Sequence, residues 1–316
     1  VTAATPIEHA VAVLKRGGLV AFPTETVYGL GADASNPEAV ARIFRVKGRP
    51  LDHPVIVHIA AAAQLVRWAR EIPDHAVRLA ERFWPGPLTL ILKRARGVAD
   101  GLTGGQDTIG IRVPGHPLAL ELLRRFGGGI AAPSANKFGR ISPTTAEHVR
   151  GDLGGGIDLI LDGGPCEIGI ESTIVDLSRG GPMLLRPGRV STEDIAGTLG
   201  VSLTPRDHDA PRVPGALESH YAPRTPLRLV VSGHWDESGG GALANPAILS
   251  FRSRPVGGRF ALWIEASKDP QRYARDLYSN LRLLDSSGGD EILVEQPPAD
   301  AKWAAIADRL VRARSA

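Results

Sequence analysis

Charged and hydroxyl residues recur in five short stretches: Thr24-Glu25-Thr26, Lys47-Gly48-Arg49, Ile109-Gly110-Ile111-Arg112, Ser134-Ala135-Asn136 and Ser172-Thr173. Most border an apolar strand. Lysine is a mobile point charge, and arginine is a planar fork that can take an oxyanion through two parallel bonds. Gathered on one cavity, such groups would hold a polyanionic ligand. Lys47 and Arg49 lie two apart at an expected helix end, where a solvated, dipole-favoured terminus is the competing explanation. Arg112 and Arg186 each emerge where an apolar strand meets a loop, as a binding fork or as half of a buried ion pair. His58, within Val55-Ile56-Val57-His58-Ile59, is either a satisfied strand residue or a group that orients a substrate. No nucleophile-plus-base arrangement stands out. Cys166 beside Pro165 has no histidine close in sequence and reads as structural.

The elements that must position these groups follow from local pattern. Thr5-Pro6-Ile7-Glu8 combines a hydroxyl cap, proline at the first helical position and a glutamate three residues after the cap, and Gly17-Gly18 ends that helix. Leu19 to Phe22 is a buried strand that runs into the Pro23-Thr24-Glu25-Thr26 loop. Asn36-Pro37-Glu38 opens a second helix with Val40, Ile43 and Phe44 on one face, and its end delivers Lys47 and Arg49. Short apolar strands follow at 55–59, 88–92, 109–113, 130–132, 157–161, 173–177 and 183–185. Helices are expected near 61–70, 75–83, 116–126, 145–150 and 192–199. Strands and helices mix without strict alternation, so the expected fold is α/β with a twisted mixed sheet flanked by helices. Gly127-Gly128-Gly129 and Gly154-Gly155-Gly156 each follow a helix pattern, and helix termination explains them better than a phosphate cradle.

Three segments result: a first domain over 1–203, a Pro-, Asp-, Arg- and His-rich linker over 204–226, and a smaller Rossmann-like parallel α/β domain over 227–316. In the last, strands are expected at 227–231, 247–251, 260–264 and 291–295. A helix opening at Asp269-Pro270 carries Tyr273, Leu277, Leu281 and Leu284 on one stripe, and a final helix covers about 300–314. Residues 238–241 read as a surface loop.

The length of 316 residues suits two cores better than one. A single cysteine rules out an intrachain disulfide and a thiolate metal cluster, which points to a reducing compartment. No run approaches the ~20 apolar residues of a membrane span, so the expectation is a soluble, cytoplasmic protein without a membrane partner. The formal charge of +3 is spread over both domains, which argues against stable direct tRNA binding as the main task.

Phe22-Pro23-Thr24-Glu25-Thr26-Val27-Tyr28-Gly29-Leu30, Lys47-Gly48-Arg49-Pro50, Phe83-Trp84-Pro85-Gly86-Pro87-Leu88-Thr89, Ala132-Pro133-Ser134-Ala135-Asn136 and Leu185-Arg186-Pro187-Gly188 together resemble the YrdC family. His220-Tyr221-Ala222-Pro223 and the C-terminal extension resemble its long, two-domain threonylcarbamoyl-AMP synthases. The resemblance implies a nucleotidyltransferase that joins L-threonine, bicarbonate and ATP into L-threonylcarbamoyladenylate and pyrophosphate. That is the first step of N6-threonylcarbamoyladenosine (t6A) formation at tRNA position 37, with the product passing to a downstream tRNA threonylcarbamoyltransferase machinery. It places Thr26, His58, Arg112, Ser134 and Ser172 around L-threonine. It places Arg49, His53, Thr108, Asn136, Thr144, Arg186 and Tyr221 around ATP, with Ser142 competing for the place of Thr144. Lys47 and Arg49 would stabilise transition-state charge. Mg²⁺ would travel with ATP, so no protein ligand for it is expected, although Glu25, Asp162 and Glu171 are the nearest acids. Where the resembling motif often has Asn, this chain has His53, and Ala216-Leu217-Glu218-Ser219 replaces a basic lid segment.

Two other functions are weighed. A carbamoyltransferase module of the hydrogenase-maturation type would bring paired zinc cysteines, which one cysteine cannot supply. A non-enzymatic RNA-binding protein on the same fold lacks support, because aromatic residues are 5% of the chain and form no stacking motif.

Overall fold

Thr5 caps the first helix by accepting from the Glu8 N–H, and the Glu8 side chain accepts from the Thr5 N–H, closing the capping box anticipated above. Asn36 caps the second helix in the same manner, through the N–H groups of Glu38 and Ala39. The structure, a computed structural model, describes residues 5–215, 220–231, 245–256 and 259–314. The expected loop at 238–241 and the segment 216–219 lie outside them.

The chain divides into two units, 1–138 with 143–167 and 171–216, and 139–142 with 168–170 and 217–316. In the first, the helices are α1 (Pro6–Lys15), α2 (Pro37–Lys47), α3 (Leu65–Trp68), α4 (Asp74–Phe83), α5 (Asp100–Thr103), α6 (Pro117–Phe126), α7 (Ala146–Leu153) and α8 (Thr192–Leu199). Its strands are β1 (Val20–Phe22), β2 (Gly29–Asp33), β3 (Ile56–His58), β4 (Leu88–Lys93), β5 (Thr108–Arg112), β6 (Ile130–Ala131), β7 (Leu159–Ile160), β8 (Thr173–Asp176) and β9 (Met183–Arg186). They form one mixed sheet in the order β7-β1-β2-β6-β3-β5-β4-β8-β9. The expected twisted mixed sheet with flanking helices is the fold observed.

Side chains alternate across this sheet with a period of two, and the two faces have different fates. Leu30, Val57, Leu90, Ile111 and Val175 face α2 and α4 in the main core, against Ile43, Phe44 and Leu79. The opposite face is covered in two places. Val20, Phe22 and Ile130 pack under α1 and α6, while Ile56, Ile91 and Ile174 pack with Met183, Leu185 and Val213. Val213 belongs to the segment 204–215, which lies on the first unit. Its start is fixed to the sheet edge by Thr204 N donating to Pro182 O (2.9 Å) and Leu184 N donating to Thr204 O (3.3 Å).

Three local expectations needed revision. Strand β2 was not anticipated, because glycine weakens a strand on propensity grounds. Here Gly31 is required by packing: a Cβ would lie 2.8 Å from both Phe22 Cε1 and Ile130 Cγ2. The helix expected over 61–70 shrinks to a 3₁₀ turn, Ala62–Gln64, followed by α3. Arg70 N donates to Lys93 O (2.9 Å) and Ala69 bridges Arg94, so tertiary pairing overrides helix propensity there. The final helix begins at Ala304, after a 3₁₀ turn over Ala301–Trp303. By contrast, Gly127 (φ 77°) and Gly154 (φ 37°) do terminate α6 and α7 as read.

The second unit holds β10 (Leu227–Val230), β11 (Ala247–Ser250), β12 (Leu262–Glu265) and β13 (Ile292–Glu295), with α9 (Pro270–Asp285) and α10 (Ala304–Ala313). Its four strands are all parallel, in the order β10-β13-β11-β12. The stripe Tyr273, Leu277, Leu281 and Leu284 of α9 is buried as its spacing required. Two short stretches from earlier in the chain complete this unit. Ala222 N donates to Gly139 O (2.9 Å) and Arg282 Nη2 to Ile141 O (2.5 Å). Gly169, at φ 79°, lies so close to α9 that a Cβ would sit 2.4 Å from Arg275 Cα.

Candidate active site

Helix α2 ends in a left-handed residue, Gly48 (φ 64°), after which Arg49 N donates back to Phe44 O (2.9 Å). This turn buries Lys47 and Arg49 on opposite sides of one glycine. Lys47 Nζ donates to Ser134 O (2.6 Å) and Asn136 O (2.5 Å), with Asn136 Oδ1 at 3.4 Å. Burial first, and then the Arg49 charge, hold its pKa well below the ordinary lysine value. Arg49 Nη2 donates to Pro54 O (2.8 Å), and its guanidinium lies over the Phe138 ring at 5.6 Å. Phe138 also meets the His53 ring edge-on at 5.2 Å. His53 is kept below its usual pKa by burial and by Arg49. The structure thus brings Lys47, Arg49, His53, Ser134 and Asn136 together, with Lys47 bonded directly to the Ser134 and Asn136 carbonyls.

The second group sits on the sheet face left between the two apolar patches. His58 and Arg112 are register partners in the parallel β3/β5 pair, so their side chains share a face. Thr89 joins them, since its neighbour Leu90 lies opposite Ile111. Gly110 forms the floor between them, where a Cβ would meet Ile91 at 3.1 Å and Ile56 at 3.4 Å. Arg112 Nε donates to Gly86 O (3.1 Å), Nη1 to Thr26 Oγ1 (2.9 Å) and Nη2 to Glu25 Oε1 (2.6 Å). The ion pair is buried, with side-chain exposures of 4% and 9%. His58 is driven down to a pKa of about 3, by burial first and by the Arg112 charge second, so its imidazole is neutral at physiological pH. Thr26 is placed by a local turn in which the Thr24 hydroxyl lies 2.8 Å from Thr26 Oγ1 and donates to Val27 O at 2.7 Å.

Along the same face, Ser172 Oγ pairs with Thr89 Oγ1 (2.8 Å) and accepts from Arg186 Nη2 (3.1 Å). Arg186 Nε donates to Ser172 O (3.1 Å) and Nη1 to Pro214 O (2.8 Å), so it ties the 204–215 segment to the β8 start. Gly188 permits this approach, because a Cβ there would lie 2.4 Å from Thr173 N. Thr108 begins β5, at the opposite end from Arg112. Buried Thr144 places its Oγ1 3.3 Å from His148 Nδ1 in the first unit, whereas Ser142 falls in a stretch of the second. Tyr221 also belongs to the second unit. It has φ 64°, stacks on Tyr278 at 5.7 Å and lies under the Arg309 guanidinium at 5.4 Å.

Sequence reasoning gave no role to Glu25 beyond proximity and none to Thr89 or the Gly86 carbonyl. The contacts that reveal them join strands far apart in the chain, and only the alternation around Arg112 hinted at a shared face. Cys166 is buried and its thiol is pushed up to about 12, by burial first and Glu25 second, which suits a packing role. An apolar cavity of about 470 Å³, lined by Ala60, Leu65, Val77, Trp84 and Val113, contains none of the expected site residues. No helix among the described residues is long and apolar enough to cross a membrane.

The Sua5/YciO/YrdC family, described as "Telomere recombination", matches residues 12–188, and "Threonylcarbamoyl-AMP synthase, C-terminal domain" matches 190–315. The chain is 42% identical to the threonylcarbamoyl-AMP synthase of Pyrococcus abyssi, covering 97% of this chain and 93% of that one. It is 40% identical to that of Bacillus subtilis, covering 97% and 92%. Among solved structures, P. abyssi Sua5 complexed with L-threonine superimposes with a TM-score of 0.87 at 39% identity, over 97% of this chain and 93% of that chain. Two family models that together span residues 12–315, and full-length relatives at 40% identity and above, show that this chain belongs to the Sua5/YciO/YrdC family, as a two-domain member.

Proposed function

We propose that the chain is an L-threonylcarbamoyladenylate synthase acting at the first step of t6A formation in tRNA. The observation that carries this reading is the full-length likeness to a protein solved with L-threonine. The buried Arg112 fork in this chain is suited to an amino-acid carboxylate. L-Threonine would lie over the β3/β5 face, with Arg112 taking its carboxylate and Thr26, His58, Ser134 and Ser172 around the rest. ATP would lie toward the α2 end, with Arg49, His53, Thr108, Asn136, Thr144 and Arg186 as contacts. Tyr221 is the contact assigned to the linker.

The threonine amine, once deprotonated, adds to CO₂ derived from bicarbonate. The carbamate oxygen then forms a bond to the α-phosphorus of ATP as the bond to the bridging β-phosphate oxygen breaks, releasing pyrophosphate. Neutral His58 can orient the hydroxyl or the carbamate by hydrogen bonding without adding a charge. Lys47 and Arg49 neutralise charge that builds on the departing phosphates. An N-carboxylated amine is short-lived in water, so the chain's contribution is proximity, exclusion of solvent and fixed charge rather than a covalent intermediate. Mg²⁺ enters as part of the ATP substrate. The product is taken up by a downstream transferase acting on tRNA, and the cytoplasm is the compartment that fits. The test is pyrophosphate release with L-threonine, bicarbonate and ATP each omitted in turn. All three should be required. RNA binding at physiological salt without threonine-dependent turnover would contradict the reading.

A further inference from the structure

Glu25 is the acidic member of the buried pair with Arg112, and it is bound by half. Its Oε1 accepts from Arg112 Nη2 at 2.6 Å, while Oε2 is buried with no hydrogen-bond partner among the described residues. The side chain is only 9% exposed, and a Cβ on Gly115 would lie 3.4 Å from its carboxyl carbon. A carboxylate placed only to align an arginine would do so best through both oxygens in a fork-to-fork pair. This one turns an oxygen aside instead.

Arg112 shows the complementary shortfall. A guanidinium has five N–H donors, and three of these are engaged, by Gly86 O, Thr26 Oγ1 and Glu25 Oε1. Two donors and one carboxylate oxygen are therefore left within a single ion pair. That set is the electrical inverse of an α-amino acid zwitterion, whose carboxylate needs donors and whose ammonium needs an acceptor nearby. The neutral pair also admits a neutral zwitterion without leaving a net buried charge, and uncharged His58 on the same face does not disturb the balance.

We propose that Glu25 Oε2 receives the α-ammonium of the substrate, so that Glu25 and Arg112 together select an amino acid over a carboxylic acid lacking the amine. The assignment rests on the threonine-binding reading above. The turn that carries Glu25 is held locally by the Thr24 hydroxyl, which donates to Val27 O and accepts from the Val27 N–H.

The experiment is calorimetric titration of the full chain with L-threonine and with (R)-3-hydroxybutanoate, which keeps the carboxylate and hydroxyl but lacks the amine. Wild type should prefer threonine strongly. Glu25→Gln should weaken threonine by roughly thirtyfold or more, while hydroxybutanoate binds as before or more tightly, because a repelling charge has gone. Equal weakening of both ligands would show that Glu25 merely aligns Arg112 and would overturn the proposal. Equal affinity of wild type for the two ligands would overturn it without recourse to a variant. Failure of wild type to bind threonine at all would remove the substrate reading itself, and this assignment with it.

Discussion

His58 and Arg112 face each other across the parallel β3/β5 pair, and the guanidinium helps keep the imidazole uncharged. In the unfolded chain a histidine takes up a proton near pH 6.5, whereas in the fold His58 resists protonation down to about pH 3. Between those values the unfolded state binds more protons, so stability rises with pH. The contribution is complete above about pH 6.5 and is lost as pH falls toward 3, on the order of a few kcal/mol. A His58→Gln variant should lose this slope in urea unfolding measured across that range. NMR titration of wild type should show a histidine still neutral at pH 5, and a His58 midpoint near 6.5 would refute the account.

Replacing Arg112 has two separable effects. Arg112→Ala should weaken L-threonine binding by about 2–5 kcal/mol if its carboxylate pair is shielded from water. It should also destabilise the fold by about 3–5 kcal/mol, because Glu25 is left buried without its cation. The double variant Arg112→Met with Glu25→Gln should recover much of the stability but none of the binding. Chemical denaturation of the single and double variants provides the check, and an equally unstable double variant would place the effect outside the pair.

Lys47 offers a case where stability and binding can be measured separately. Its pKa in the fold lies below 10.5, so over the interval beneath 10.5 the unfolded state binds the extra proton and stability rises with pH. Lys47→Met should flatten that alkaline gain but lose the bonds that Nζ makes to the Ser134 and Asn136 carbonyls, at a cost of about 1–3 kcal/mol. It should weaken ATP capture by about 2 kcal/mol through loss of a charge-assisted contact. Circular dichroism against pH and nucleotide titration test the two halves independently.

The segment 204–215 should prove integral to the first unit. Val213 is buried with Ile56, Ile91 and Ile174, and Pro214 O holds Arg186. A chain ending at Leu203 should therefore lose about 1.5–3 kcal/mol from the bared Val213 site and show altered turnover or ATP affinity. A chain ending at Gly215 should retain the stability of the first unit. Thermal unfolding of both truncations decides, and equal midpoints would show the segment to be a plain tether.

Much of this architecture is written locally. The Thr5 and Asn36 caps, the left-handed Gly48 and the α9 stripe are all encoded within a few residues of where they act. Strand β2 was hidden because Gly29 and Gly31 look like breakers until Phe22 is known to pass over them. The stretches 139–142 and 168–170 were read with the first domain because nothing local marks their packing in the second unit. In the site, the types and spacing of Lys47, Arg49, Ser134 and Asn136 singled them out, and the fold brings Lys47 onto the Ser134 and Asn136 carbonyls. The Arg112–Glu25 and Arg186–Pro214 contacts span 87 and 28 residues, so they were illegible without the sheet order.

Lys47, Arg49, Arg112 and Arg186 all rest in part on peptide oxygens, those of Ser134, Asn136, Pro54, Gly86, Ser172 and Pro214. A peptide oxygen is supplied by whatever residue occupies the position, provided the chain path is kept. Mutational drift around these cations is thereby buffered, which gives a physical reason why homologues can diverge over more than half of their positions and still share one superimposable frame.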